Sequence, residues 1–175
     1  MDDTPKIESN TARAAPVIRR IVTGHDAQGK AIVWKDGPAT FHKFPNVTTS
    51  STLMWVTQQS PCDFLDDVDH GKSYSGTPPP PGGTRMGVIE ILPGEHRPPL
   101  HRTDTLDYVI CIAGEMGMLL DDGVEVFMRT GDIMIQRGTA HAWFNRGSEP
   151  ARIAFILVDG APQREGSIQR GGSAT

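Results

Sequence analysis

The chain is poor in the features that mark most large function classes. It has only two cysteines, Cys62 and Cys111, in 175 residues. They sit in unrelated contexts with no signal-like apolar stretch near Met1, so no disulfide framework is expected and a reducing, cytoplasmic setting is. No apolar run approaches the roughly 20 residues that cross a bilayer, which sets aside a membrane span. Charge of one sign is not concentrated either. Seventeen Lys and Arg against 21 Asp and Glu give a net charge of -4, spread along the chain with no basic stripe to neutralise phosphates, so nucleic acid is not an expected partner. Gly-x-Gly-x-x-Gly before a helix, a P-loop, Cys-x-x-Cys pairs and Gly-x-Ser-x-Gly are all missing, which argues against nucleotide, zinc-ribbon and serine-hydrolase chemistry. Internal repeats and long amphipathic helices are absent too.

What is present points to strands. Nineteen glycines and 14 prolines are many for a helical protein. The apolar segments are short, rich in Val, Ile, Phe and Trp, and broken by turn signals such as Asp122-Gly123 and Thr130-Gly131-Asp132. This pattern predicts an all-β fold, an antiparallel sandwich or barrel. The length suits a single domain over residues 16–162, with flexible tails at 1–15 and 163–175. Within it, an N-terminal hairpin and loop region (16–83) precedes a core barrel (84–162). RRIVTGHDAQGKAIVWKDGP reads as the hairpin, with His25 as a solvated turn residue. Residues 60–83 form a long irregular stretch, read as a lid, an interaction segment or disorder. Asp63, Asp66, Asp67 and Asp69 make it acidic. Asp67-x-Asp69-x-Gly71 is a fragment of a calcium loop without its closing Glu, so a solvated loop is expected. From Thr84 onward seven strand-like segments follow in quick succession, as in a closed or nearly closed barrel.

Side chains on a strand repeat every two residues, so His101, Thr103, Thr105, Asp107 and Val109 share one face, and His141, Trp143 and Asn145 share another. If both faces look into one cavity, two imidazoles and a carboxylate meet there.

These residues resemble the two motifs of the cupin superfamily. Pro93-Gly94, His101, Asp107 and Gly114-Glu115 match the first, and Gly131-Asp132, Gly138, His141 and Asn145 the second. Thr103 stands where the second histidine is usual, Asp107 where Glu is, and Gln136 where Pro is. Across residues 17 to 160 the chain is more narrowly similar to single-domain cupins found near secondary-metabolite enzymes, some of them labelled as oxidoreductases. The resemblance implies a jelly-roll-like barrel with a divalent metal, iron, manganese, nickel or zinc, held by His101, Asp107 and His141. It also implies a small organic substrate and, by analogy, a homodimer joined through paired sheets or the hairpin around Ile21 to Trp34.

Several readings stay open at this level. Two imidazoles and one carboxylate are the ligand set of non-haem iron oxygenases, but other divalent ions suit them nearly as well. Oxygenase chemistry ranks slightly ahead of lyase or isomerase chemistry, in which Asp107 would be a catalytic base. A barrel that has lost its metal and merely binds a ligand is the alternative of another class. Thr103, Thr105, Trp143 and His96 are the candidate substrate contacts. Trp143 is either a flat wall for an aromatic or polyketide-like molecule or a core residue, and His96 either a replacement ligand or a rim residue. Cys111 reads as an inert buried thiol.

Overall fold

A computed structural model describes residues 14–94 and 98–162. The tails expected at 1–15 and 163–175 lie, apart from Ala14 and Ala15, outside the described residues, and so does His96.

Eleven strands run β1 Arg19–His25, β2 Ala31–Pro38, β3 His42–Lys43, β4 Thr49–Thr57, β5 Thr84–Ile91, β6 Thr105–Ala113, β7 Glu115–Leu119, β8 Glu125–Arg129, β9 Ile133–Arg137, β10 Ala142–Phe144 and β11 Ala151–Asp159. The one helical element described is a 3-10 turn at Asp121–Gly123. No helix among the described residues is long and apolar enough to cross a membrane. β1 and β2 form a separate hairpin, and His25 closes β1 rather than lying in the turn. The body is two facing antiparallel sheets, β3-β4-β5-β11-β6-β9 and β10-β7-β8, the double-sheet form that a jelly roll takes in place of one closed cylinder.

Alternation decides which side of the large sheet is the core. Along β6, Thr105, Asp107, Val109 and Cys111 are buried while Tyr108 and Ile112 are exposed. Register then aligns the inner face into rows. Leu53, Gly87, Phe155, Val109 and Met134 form one row. Gly87 has no side chain because a Cβ there would lie 2.6 Å from Cζ of Phe155, so the phenyl ring crosses the space above it. The neighbouring row runs Val56, Arg85, Leu157, Asp107, Gln136. Met116, Met118, Met128 and Trp143 of the small sheet pack against Val109, Ile153 and Phe155 of the large one. Gly114, at φ 68°, is the single residue at which the chain passes from β6 in the large sheet to β7 in the small one, a backbone setting that side chains resist.

The stretch between β4 and β5 is irregular, as expected, but it is not simply solvated. Both Arg20 guanidinium nitrogens donate to the Asp69 carboxylate at 2.7 Å, and the arginine also reaches the Met54 carbonyl at 3.3 Å. Both side chains are largely buried. Gly71 leaves the room, since a Cβ there would strike Arg20. Asp69 thus serves as a tether between hairpin, loop and sheet. Further along, Gly76 and Thr77 accept hydrogen bonds from Lys43 and Arg85, which draws this end of the loop to the mouth between the sheets.

Candidate functional site

The two sheets leave a cavity of about 320 Å³ at one end of the barrel, within the lower range of ligand pockets. Its floor is apolar, with Val109, Ile153, Phe155 and Leu157, and its reactive wall carries His101, Thr103, Asp107, Gln136 and His141.

The two histidines meet through the backbone. His101 and His141 form an isolated antiparallel bridge, each amide donating to the other's carbonyl at 2.9 Å. Directly opposed residues send their side chains to the same face, and the ring centroids lie 4.5 Å apart. Gly138, at φ 59°, turns the chain after β9 so that His141 can reach this position. His101 is accessible, whereas His141 is buried.

Nδ1 of His141 lies 2.9 Å from the Gln136 amide nitrogen and 3.0 Å from the Thr139 carbonyl. The ring proton therefore has two seats. If Gln136 donates to Nδ1, the proton sits on Nε2. If Nδ1 donates to Thr139, the lone pair at Nε2 is free. Either way Nδ1 is engaged and Nε2 is the nitrogen left for the cavity. Burial, and to a smaller extent the neighbouring His101, push the His141 pKa down despite the Thr139 hydrogen bond, so the ring is neutral at neutral pH.

Asp107 is 4 % exposed, and its Oδ1 has no hydrogen-bond partner among the described residues. Burial raises its pKa, while the Thr105 hydroxyl and His101 pull the other way. An unsatisfied carboxylate oxygen in such a place costs about 1–3 kcal/mol, the sort of strain kept where a ligand or proton is to be received. Thr103 lines the cavity with its hydroxyl 2.7 Å from that of Thr105. Thr105 is not part of the lining and supports Thr103 and Asp107 from behind.

Trp143 stands in the core cluster, which is one of its two readings, and also lines the cavity, its ring centroid 5.8 Å from that of His141. Asn145, on the same strand parity, does not reach the cavity. It is 1 % exposed, and its Nδ2 donates to the carbonyls of Ile91 and Glu149 at 2.9 and 2.8 Å, locking the turn into β11. Cys111 shares the inner face but lies in the core, with its thiol pKa raised by burial.

Arg85, Lys43 and Gln136 also line the cavity, and sequence reasoning assigned them no role in the site. Arg85 had a legible signal. It heads a strand whose inward positions are otherwise Gly87, Ile89 and Ile91.

With the geometry in place, comparison with known proteins is decisive. The Cupin domain family matches residues 87–158. The chain is 33% identical over 159 residues to the cupin-domain-containing oxidoreductase srdD of Neurospora crassa, covering 87% of this chain and 81% of that one. The chain is a cupin. It is also 33% identical over 157 residues to the cupin-domain-containing oxidoreductase virC of Hypocrea virens, with 85% and 80% covered. Phomopsin biosynthesis cluster protein C' of Diaporthe leptostromiformis is 31% identical over 150 residues, with 82% and 79% covered. In this cupin the motif residues divide their labour: His101, Asp107 and His141 face the cavity, and Asn145 holds the frame. Among the described residues, no three His, Cys, Asp or Glu side chains are gathered closely enough, as they stand, to hold a metal ion.

Proposed function

We propose that this cupin is an oxidoreductase of a small organic molecule, with the cavity as its active site and His101, Asp107 and His141 as its reactive wall. The observation that carries the proposal is the His101–His141 pair beside a buried carboxylate whose Oδ1 is unbonded. The naming of its relatives as cupin-domain-containing oxidoreductases supports the reaction class. An oxidoreductase needs an electron carrier, and the fold family implies a divalent metal. The donor set of two imidazoles and a carboxylate suits iron, manganese, nickel or zinc, and the orphaned Oδ1 of Asp107 and the available Nε2 of His141 fit a ligand role. Since the three side chains are not already gathered, binding would close the group rather than fill a finished one. Bound there, the ion would supply a Lewis acid for substrate oxygens or, as iron, a redox centre.

The chain's own residues do the rest. The apolar floor suits a hydrocarbon chain or ring, and Trp143 beside His141 adds an aromatic wall for an aromatic or polyketide-like molecule. With a metal bound, the Nε2 lone pair of His141 would be a ligand and Nδ1 would donate to the Thr139 carbonyl; without it, Nε2 carries the ring proton when Gln136 donates to Nδ1. Without a metal, Asp107, with its raised pKa, would accept a proton at Oδ1 from a substrate carbon or hydroxyl. That last property supports a second reading, a metal-free isomerase or lyase with Asp107 as catalytic base.

Plasma mass spectrometry on untagged wild type and on His141→Ala, both purified without chelator, separates the two. Near-stoichiometric iron or manganese in the wild type, lost in the variant, is the expected result. Zinc would move the reaction class towards Lewis-acid isomerisation. Protein that is reproducibly empty and rejects added metal would overturn the metal reading and leave Asp107 acid–base chemistry.

A further inference from the structure

The opposite wall of the cavity holds a cation with no counter-ion among the described residues. Arg85 is 6 % exposed and lines the cavity. Its Nη1 donates to the Thr77 carbonyl at 3.0 Å and its Nη2 to the Ser51 hydroxyl at a long 3.4 Å. The guanidinium carbon lies 5.1 Å from the centroid of the Phe155 ring, and Nε is buried with no hydrogen-bond partner among the described residues. Among the described residues no carboxylate pairs with it. This contrasts with Arg20 on Asp69, Arg146 on Glu125 and Arg152 on Glu90, each of which has an acid within 2.7 Å. Burial lowers the Arg85 pKa, and the one opposing influence is nearby Tyr74 rather than a carboxylate. A desolvated guanidinium held by a carbonyl, a distant hydroxyl and an aromatic face, with no carboxylate on it among the described residues, is an expensive structural element. It is, however, the group best shaped to receive a carboxylate through two parallel hydrogen bonds.

Register fixes where this cation stands relative to the reactive wall. Arg85 and Asp107 pair with the same residue, Leu157, from either side of β11. They are two strands apart, about 10 Å between backbones, with the apolar side chains of Leu157 and Phe155 on the floor between them. A second cation, Lys43, lines the same wall as Arg85, with its ammonium on the Gly76 carbonyl. The cavity is thus cationic at one end, apolar across the middle and reactive at the other.

We infer that the substrate is an organic acid: Arg85 binds its carboxylate and so directs an apolar ring or chain across Leu157 to the His101–Asp107–His141 wall. The inference deepens the proposed function by naming a substrate class, and it rests on that reading only for the claim that the bound acid is transformed. Recognition of the acid group stands by itself and is tested without metal or turnover.

The test is calorimetric titration of metal-free wild type at pH 7.5 with benzoate, phenylacetate, 3-phenylpropionate, hexanoate and octanoate, each paired with its neutral carboxamide. At least one acid is expected to bind tenfold or more tightly than its amide. In Arg85→Met that ratio falls to about one, the acid losing far more affinity than the amide, and in Arg85→Lys it takes an intermediate value because the two-pronged donor is lost. Should Arg85→Met fail to fold, Arg85→Lys decides, a reduced ratio supporting the inference and an unchanged one overturning it. A wild type that binds no acid of the series, or binds acid and amide alike, overturns it, as does a ratio that survives in both variants. These results do not depend on the metal analysis. Empty protein that prefers acids would retain Arg85 recognition and remove the metal, while metal-loaded protein indifferent to the acid group would do the reverse.

Discussion

His101 and His141 exchange both of their backbone hydrogen bonds, each at 2.9 Å, and this places their rings 4.5 Å apart on one cavity wall. Two segments forty residues apart in sequence are thereby held in register by main chain alone, independent of the side chains.

A consequence concerns Thr103, which lies two residues from His101 and lines the same cavity. Restoring an imidazole there by Thr103→His adds a third nitrogen donor beside Asp107. Zinc or iron titration should show affinity rising by about tenfold or more, comparable with the 10–100-fold that even outer partners of a metal site carry. Unchanged affinity would mean that this wall is not where metal binds.

The Arg20–Asp69 pair predicts acid sensitivity. Hydrogen bonding to Arg20 holds the Asp69 pKa below its usual value against the opposing effect of burial. A depressed folded pKa gives stability that is complete above the unfolded value, near 4, and is lost as pH falls through the lower folded value. Asp69→Asn leaves Arg20 buried and unpaired. It should cost about 3 kcal/mol at pH 7, lowering the melting temperature by about 6–12 °C. The variant's loss of stability with falling pH should also be shallower than the wild type's below about pH 4. Equal slopes in thermal melts across that range would refute the assignment.

The fold was legible in the sequence because its dominant signal is period two. The alternation in TLDYVICIA appears directly as buried and exposed positions along β6. The position of His141 was legible for the same reason, since parity places it with Trp143. Parity failed at Asn145, where the third position of the run turns away to satisfy carbonyls of the adjoining turn, a requirement set by β5 and the loop before β11. Arg85 and Gln136 were missed for a different reason. Their role comes from the row Arg85–Leu157–Asp107–Gln136, which joins four strands by register. No local pattern encodes which strands become neighbours.

Asn145 supplies its own test. Its amide satisfies two backbone carbonyls and its Oδ1 accepts from the Gly147 amide at 2.8 Å. Asn145→Ala leaves these buried groups unpaired and should destabilise the protein by about 2–4 kcal/mol in urea unfolding. Metal stoichiometry should be unchanged, because the side chain does not reach the cavity. Loss of metal with no loss of stability would give this residue the opposite role.

The final prediction concerns assembly. The outer face of β6 and β9 is apolar: Ile135 stands opposite Tyr108 and Ile133 opposite Ile110, with Ile133, Ile135, Tyr108 and Ile112 all exposed. β9 is also an edge strand of the large sheet, and its described residues carry a single charge, Arg137. Natural edges are usually guarded by charge, proline or a bulge, so an unguarded apolar edge calls for a partner. A homodimer burying at least about 1,200 Å² in total would cover this face, whereas the hairpin offers only the scattered exposed side chains of Ile21, Ile32 and Val33. Sedimentation should give a dimer at micromolar concentration. Ile135→Asp should shift it to monomer, because the new carboxylate would be desolvated in the centre of the contact, and Ile21→Asp should leave it paired. A wild type that sediments only as monomer would remove the dimer, and a dimer broken by Ile21→Asp but not by Ile135→Asp would move the interface to the hairpin.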